Sequence, residues 1–168
     1  TNNTAVAKFA FSFWIKRSKI GTEQVVLTAY TDGDNIGLIR FNATDVLEIY
    51  DYQDAYKLRK VTNRVFRDTS AWYHIVISSD ATVGTPVLGL YINGVQETSF
   101  STATYPTQNV DLRFNTSGQV FRIGHRGDTA NGPDAYFSET VLVDGLQLAP
   151  TSFGEFDSDS GIWVPIDV

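Results

Sequence analysis

The stretch Trp72–Phe100, WYHIVISSDATVGTPVLGLYINGVQETSF, decides the fold. Its opening, WYHIVIS over 72–78, alternates: Tyr73, Ile75 and Ile77 fall on one face, Trp72, His74 and Val76 on the other. That is the period of a half-buried strand. VLGLYI over 87–92 and VQETSF over 95–100 flank Asn93-Gly94. The dipeptide supplies two residues that tolerate positive φ, as a type I′ hairpin turn demands.

The same two-residue period extends in both directions. FAFSFWIK over 9–16 places Phe9, Phe11, Phe13 and Ile15 on one face, and Ala10, Ser12, Trp14 and Lys16 on the other. Strands are predicted over 24–30, 36–41, 46–52, 56–62, 119–125 and 136–143, separated by Asp/Asn/Gly turns such as Thr31–Asn35. Helical spacing is nearly missing. The tail adds a Pro-initiated segment over 149–153, the acidic loop EFDSDSG over 155–161 and a strand-like end at Trp163. Roughly nine or ten short strands predict an all-β, two-sheet antiparallel sandwich. The long irregular stretch is 101–118.

A chain of 168 residues fits a single domain spanning 1–168. The lack of any methionine, together with Thr1-Asn2-Asn3-Thr4 at the start, predicts a piece excised from a longer chain. Cysteine is absent, which excludes disulfides, thiolate metal sites and a cysteine nucleophile. A net charge of −6 argues against nucleic acid and anionic membrane surfaces. The sequence carries no apolar run long enough for a membrane span, so membrane insertion is not expected.

Five ordered pieces together resemble the concanavalin A-like, laminin-G-like jelly roll: FSFWIK, WYHIV at 72–76, LYINGVQ at 90–96, FRIG at 121–124 and the FSE strand that reaches Asp144-Gly145. A narrower resemblance, carried by VTNRVFRDTSAWYHIV and DGLQLAPTSFGEFDSDSGIWVP, is to such modules in virion proteins of tailed, especially marine, bacteriophages. It implies a virion or extracellular location and an adhesive role, binding host-surface glycan or polysaccharide from a tail fibre or appendage. It equally allows a purely structural virion subunit or a trimerisation or decoration domain, since such appendages are commonly homotrimers.

Catalysis has little footing in the residues. Glycosidases of this fold carry Glu-x-Asp-x-x-Glu on one strand, whereas Glu155-Phe156-Asp157 has Ser160 in place of the second glutamate. A glycoside hydrolase is therefore the weakest alternative, and a non-enzyme is expected. His74, in its strand pattern, reads as a hydrogen-bonded structural histidine. Trp14 and Trp163 read as core or edge packing. Relatives of the resembled fold often hold Ca²⁺ on rim loops with oxygen ligands. Two loops could do so, Asp32/Asp34 with Asn35 and Asp128/Asp134 with Asn131, although the same residue types simply make turns. The tripeptide Arg126-Gly127-Asp128 is too short to carry meaning.

The strongest binding candidate lies in VLEIYDYQDAYKLRK, residues 46–60. Alternation puts Glu48, Tyr50 and Tyr52 on one face and Leu47, Ile49 and Asp51 on the other. Tyr50 and Tyr52 are then expected side by side in solvent, with Tyr56, Arg59 and Arg64 nearby. Aromatic faces stack on sugar C–H patches while planar polar groups pair with hydroxyls. The same surface would also suit a subunit interface.

Overall fold

In a computed structural model, which describes residues 8–116, 118–127 and 132–167, the chain forms two large antiparallel sheets face to face. The strands are β1 (Lys8–Arg17), β2 (Gln24–Asp32), β3 (Asn35–Phe41), β4 (Val46–Gln53), β5 (Tyr56–Val65), β6 (Tyr73–Asp80), β7 (Val87–Ile92), β8 (Val95–Gln96), β9 (Phe100–Thr104), β10 (Val120–Ile123), β11 (Ala135–Asp144), β12 (Gly154–Phe156) and β13 (Trp163–Pro165). One sheet has five strands in the order β11-β1-β6-β7-β8, the other six in the order β10-β2-β3-β4-β5-β9.

The alternation that predicts the strands also selects the core. Phe9, Phe11, Phe13 and Ile15 point between the sheets with Ile75, Ile77, Leu88, Leu90 and Ile92, against Ala29, Ile39, Phe41, Leu47, Ile49 and Leu58 of the six-stranded sheet. Phe114, in a short 3-10 turn over Arg113–Asn115, closes one end of this layer at 5.5 Å from Phe9. That turn lies inside the stretch expected to be irregular, and Asp51 fixes it by accepting the Arg113 backbone N–H at 2.5 Å.

Arg17 continues the inward face of β1 and is fully buried. Its guanidinium donates to Asp45 Oδ1 (3.0 Å), the Phe66 carbonyl (2.6 Å) and Gln24 Oε1 (3.0 Å), and lies 4.5 Å from the Phe41 ring centre. Burial alone would raise the Asp45 pKa. The Gly21 N–H, Arg67 and Arg17 outweigh it and hold this carboxyl below the usual range.

One expectation needs correction. VQETSF is not one strand: β8 ends at Gln96 on the five-stranded sheet, and β9 begins at Phe100 on the six-stranded sheet. The intervening Glu97 is buried and ion-paired with Arg64 at 2.7 Å, so the chain changes sheets there. Past β11, which forms an edge of the five-stranded sheet as the strand predicted over 136–143 requires, the tail joins neither large sheet. β12 and β13 pair only with each other, and the tail lays Phe153 and Leu148 on the outer face of the five-stranded sheet, against Ala10 and Val76.

Trp163 anchors that cover. Its Nε1–H donates to His74 Nδ1 at 2.8 Å, and Trp14 stacks on the His74 ring at 4.7 Å. His74 is thus the hydrogen-bonded structural histidine that its strand position predicts.

Candidate binding face on the six-stranded sheet

The outer face of the six-stranded sheet is built by register. One rung runs Arg122–Thr28–Leu38–Tyr50–Arg59 across β10, β2, β3, β4 and β5. The next runs Tyr30–Ile36–Tyr52–Tyr56. A third pairs Arg40 with Glu48. Val25, Ile36, Leu38 and Tyr50 form a small apolar floor here, separate from the main core, with Tyr30 and Tyr52 packed on it.

Glu48 organises the charge. Its carboxylate is buried yet paired on both sides, with Arg40 at 2.7 Å and Arg59 at 2.9 Å, and Arg40 also pairs with Glu23. A buried carboxylate needs such partners, and the paired geometry fixes the two guanidinium planes in return. Arg59 lies over the Tyr56 ring at 4.8 Å and Arg40 over Tyr50 at 5.6 Å. Tyr56 meets Tyr50 edge-on at 5.7 Å and Tyr52 at 5.1 Å. The result is three tyrosines braced by two oriented arginines.

The structure brings together Tyr50, Tyr52, Tyr56 and Arg59, but it changes their roles. Tyr50 is not in solvent: it is 7% exposed, beneath Arg40 and Tyr56, and burial pushes its hydroxyl pKa upward. Tyr52 is half-buried, and Tyr56, at 43% exposure, is the open aromatic of the trio. Arg64 does not join them, because Glu97 holds it at the far end of β5. Arg40, Arg122 and Tyr30 belong to the face but escaped sequence reading. The alternation of Leu38 with Arg40 within β3 was the available signal for Arg40. Gly127, at φ +114, passes against Tyr30, where a Cβ would come within 2.7 Å of the ring.

Of the loop carboxylates, Asp32 accepts the Asp34 N–H (2.9 Å) and the Asn35 side-chain amide (3.0 Å). Those are bonds of a turn. Asp134 is exposed, and its carbonyl accepts the Ser18 N–H at 2.8 Å. Asp128 and Asn131 lie outside the described residues. Among the described residues, no three His, Asp or Glu side chains gather as a metal site. In the tail, Asp157 accepts the Ser160 N–H (2.8 Å) and hydroxyl (2.6 Å), again a turn.

Solved structures share the fold at low identity. Domain 4 of AbnA, a GH43 extracellular arabinanase from Geobacillus stearothermophilus solved with arabinotriose, aligns at TM-score 0.61 and 17% identity, covering 89% of this chain and 66% of that one. A putative carbohydrate binding protein from Bacteroides ovatus aligns at TM-score 0.61 and 16% identity, covering 84% and 38%. The heptameric SAP-like pentraxin of Limulus polyphemus aligns at TM-score 0.53 and 14% identity, covering 82% and 64%. The chain thus spans less than two-thirds of the length of each of these three structures. No curated protein matches the sequence. The family model described as the concanavalin A-like lectin/glucanases superfamily matches residues 1–145. With two antiparallel sheets of the matching kind and most of its length aligned, the chain belongs to the concanavalin A-like lectin/glucanases superfamily.

Proposed function

We propose that the domain is a non-catalytic carbohydrate-binding module whose site is the tyrosine–arginine face of the six-stranded sheet. The observation that carries this reading is the Tyr50–Tyr52–Tyr56 cluster with Arg40 and Arg59 fixed on the buried Glu48 carboxylate. Tyr56 offers a ring face for sugar C–H groups, and Arg59, partly exposed, offers planar donors for adjacent hydroxyls. Two fold neighbours support the ligand class, one solved with arabinotriose and one described as a putative carbohydrate binding protein. The sequence likeness to phage virion modules extends the reading to an adhesin on a tail fibre or appendage, where multivalent display would raise avidity for host glycan.

A glycan array, run with and without millimolar Ca²⁺, tests this. Saturable binding that Tyr56→Ala and Arg59→Ala weaken supports it. Absence of binding to every glycan rejects it, and release of reducing sugar from a β-glucan would make the domain an enzyme instead.

One observation favours a second reading, assembly. The edge strand β10 exposes Val120 (54%), Phe121 (38%) and Ile123 (57%). An apolar sheet edge of this kind invites pairing with another chain. A concentration-independent trimer by light scattering, dispersed by Ile123→Lys, would support a structural role.

A further inference from the structure

On the opposite side of the molecule, a cavity of about 260 Å³ opens between β1, β11, the start of β6 and the tail hairpin. Its lining is Trp14, Trp72, Trp163, Pro165, Ser138 and Glu139. These are all three tryptophans of the protein. Glu139 sits in the bulge where β1 and β11 slip register between the Ser12–Val141 and Trp14–Ser138 pairs, with φ at +48°. Left-handed backbone at a glutamate inside a strand costs free energy. Bulges of this kind re-aim a side chain.

The wall is poorly suited to a sugar, which asks for several hydroxyl partners. Trp163 commits its N–H to His74, and the Trp14 N–H is shielded from solvent. Among the described residues, the polar groups left on the wall, apart from the Trp72 N–H, are Ser138 and Glu139, and no basic side chain lines the cavity. A second carboxylate, Asp167, lines an adjoining hollow with Glu139, Val141 and Ile166. Electron-rich rings with a counter-charge and few hydrogen-bond groups are what an organic cation needs. Lys16, two residues along β1 from Trp14, is the basic group to consider, and it lies near Asp68.

We propose that this tryptophan pocket is a second binding site, for a small alkylammonium group. It is independent of the tyrosine–arginine face. The cation would sit against the indoles, with Glu139 as its counter-ion.

The protein's intrinsic fluorescence reports this pocket directly, because every tryptophan lines it. Titration of the intact domain with tetramethylammonium chloride, against sodium chloride of equal ionic strength, is expected to give a saturable change with half-saturation on the order of 1 mM. Trp72→Ala and Glu139→Gln, both at exposed positions, are each expected to weaken binding about fivefold or more, and Trp72→Phe to retain most of it. Circular dichroism would confirm that the variants fold. No change beyond the sodium control overturns the proposal. So does a response to neutral methyl pyranosides in place of the ammonium ion, or a response that Trp72→Ala and Glu139→Gln leave intact.

Discussion

Trp163 Nε1–H donates to His74 Nδ1 at 2.8 Å, joining residues 89 positions apart. An indole nitrogen can only donate, so Nδ1 must accept and the ring proton resides on Nε2. That N–H faces the Ser12 hydroxyl at 2.8 Å. Burial lowers the His74 pKa to about 4. Imidazole ¹⁵N shifts are therefore expected to show a neutral Nε2–H ring at pH 5, titrating near 4. Trp163→Phe leaves Nδ1 unpaired at a cost of about 1–3 kcal/mol. Faster amide exchange in β12 and β13 than in β6 would locate the loss.

Two buried groups pull stability in opposite directions with pH. His74 is depressed from 6.5 to about 4, so the unfolded chain binds the extra proton between those values. Its contribution is full above 6.5 and falls as pH drops toward 4. Asp51 is raised from 3.8 to about 6 by burial, so there the folded chain holds the extra proton and stability rises on acidification. From pH 6 to 4 the two largely cancel. Asp51→Asn removes one side of the balance. Its unfolding free energy from urea melts is expected to fall on going from pH 6 to 4 more steeply than that of the unsubstituted protein, by about 1.4 kcal/mol per pH unit.

The Arg17–Asp45 pair is a costly polar contact to break. Both side chains are buried, at 0% and 3% exposure, and Asp45 also serves Gly21 and Arg67. Asp45→Ala leaves a buried guanidinium short of its counter-charge, at about 3–5 kcal/mol. By contrast Lys8, 31% exposed in its pair with Asp80, is expected to cost under about 1 kcal/mol on Lys8→Ala. Denaturant melts of both variants would rank them.

Gly94 is required twice. Its φ of +78° suits the hairpin turn, and a Cβ would stand 2.3 Å from the Trp163 ring. Gly94→Ala is expected to cost at least about 2 kcal/mol, from backbone strain plus overpacking. A turn glycine with no tertiary role would cost less. Gly161, at φ +67° with open space around it, serves as the comparison in thermal melts.

Tyr56 separates binding from stability. It is partly exposed, so Tyr56→Ala is expected to weaken glycan binding about tenfold with its melt little changed, consistent with a loss near 1.4 kcal/mol, whereas Arg59→Ala weakens binding and also lowers the melt, because it takes one partner from the buried Glu48 carboxylate. Tyr50→Ala should instead destabilise the fold by about 2–4 kcal/mol, because Tyr50 sits in the apolar floor. Calorimetric titration paired with melting would distinguish the two outcomes.

Side-chain period is local, so the sequence by itself determined which residues of each strand share a face. Phe9, Phe11, Phe13 and Ile15 went inward, and Glu48, Tyr50 and Tyr52 stayed together, as alternation requires. The Asn93-Gly94 turn was equally local, since its φ values demand those residues. Strand neighbours and exposure are not local. Only the tertiary structure decided that the chain changes sheets at Glu97, drawing Arg64 away from the tyrosines. It also put Tyr50 beneath Arg40 and Tyr56, and carried Trp163 back to His74. Each of those outcomes depends on a charge or a ring contributed from elsewhere in the chain, which no pattern within one segment encodes.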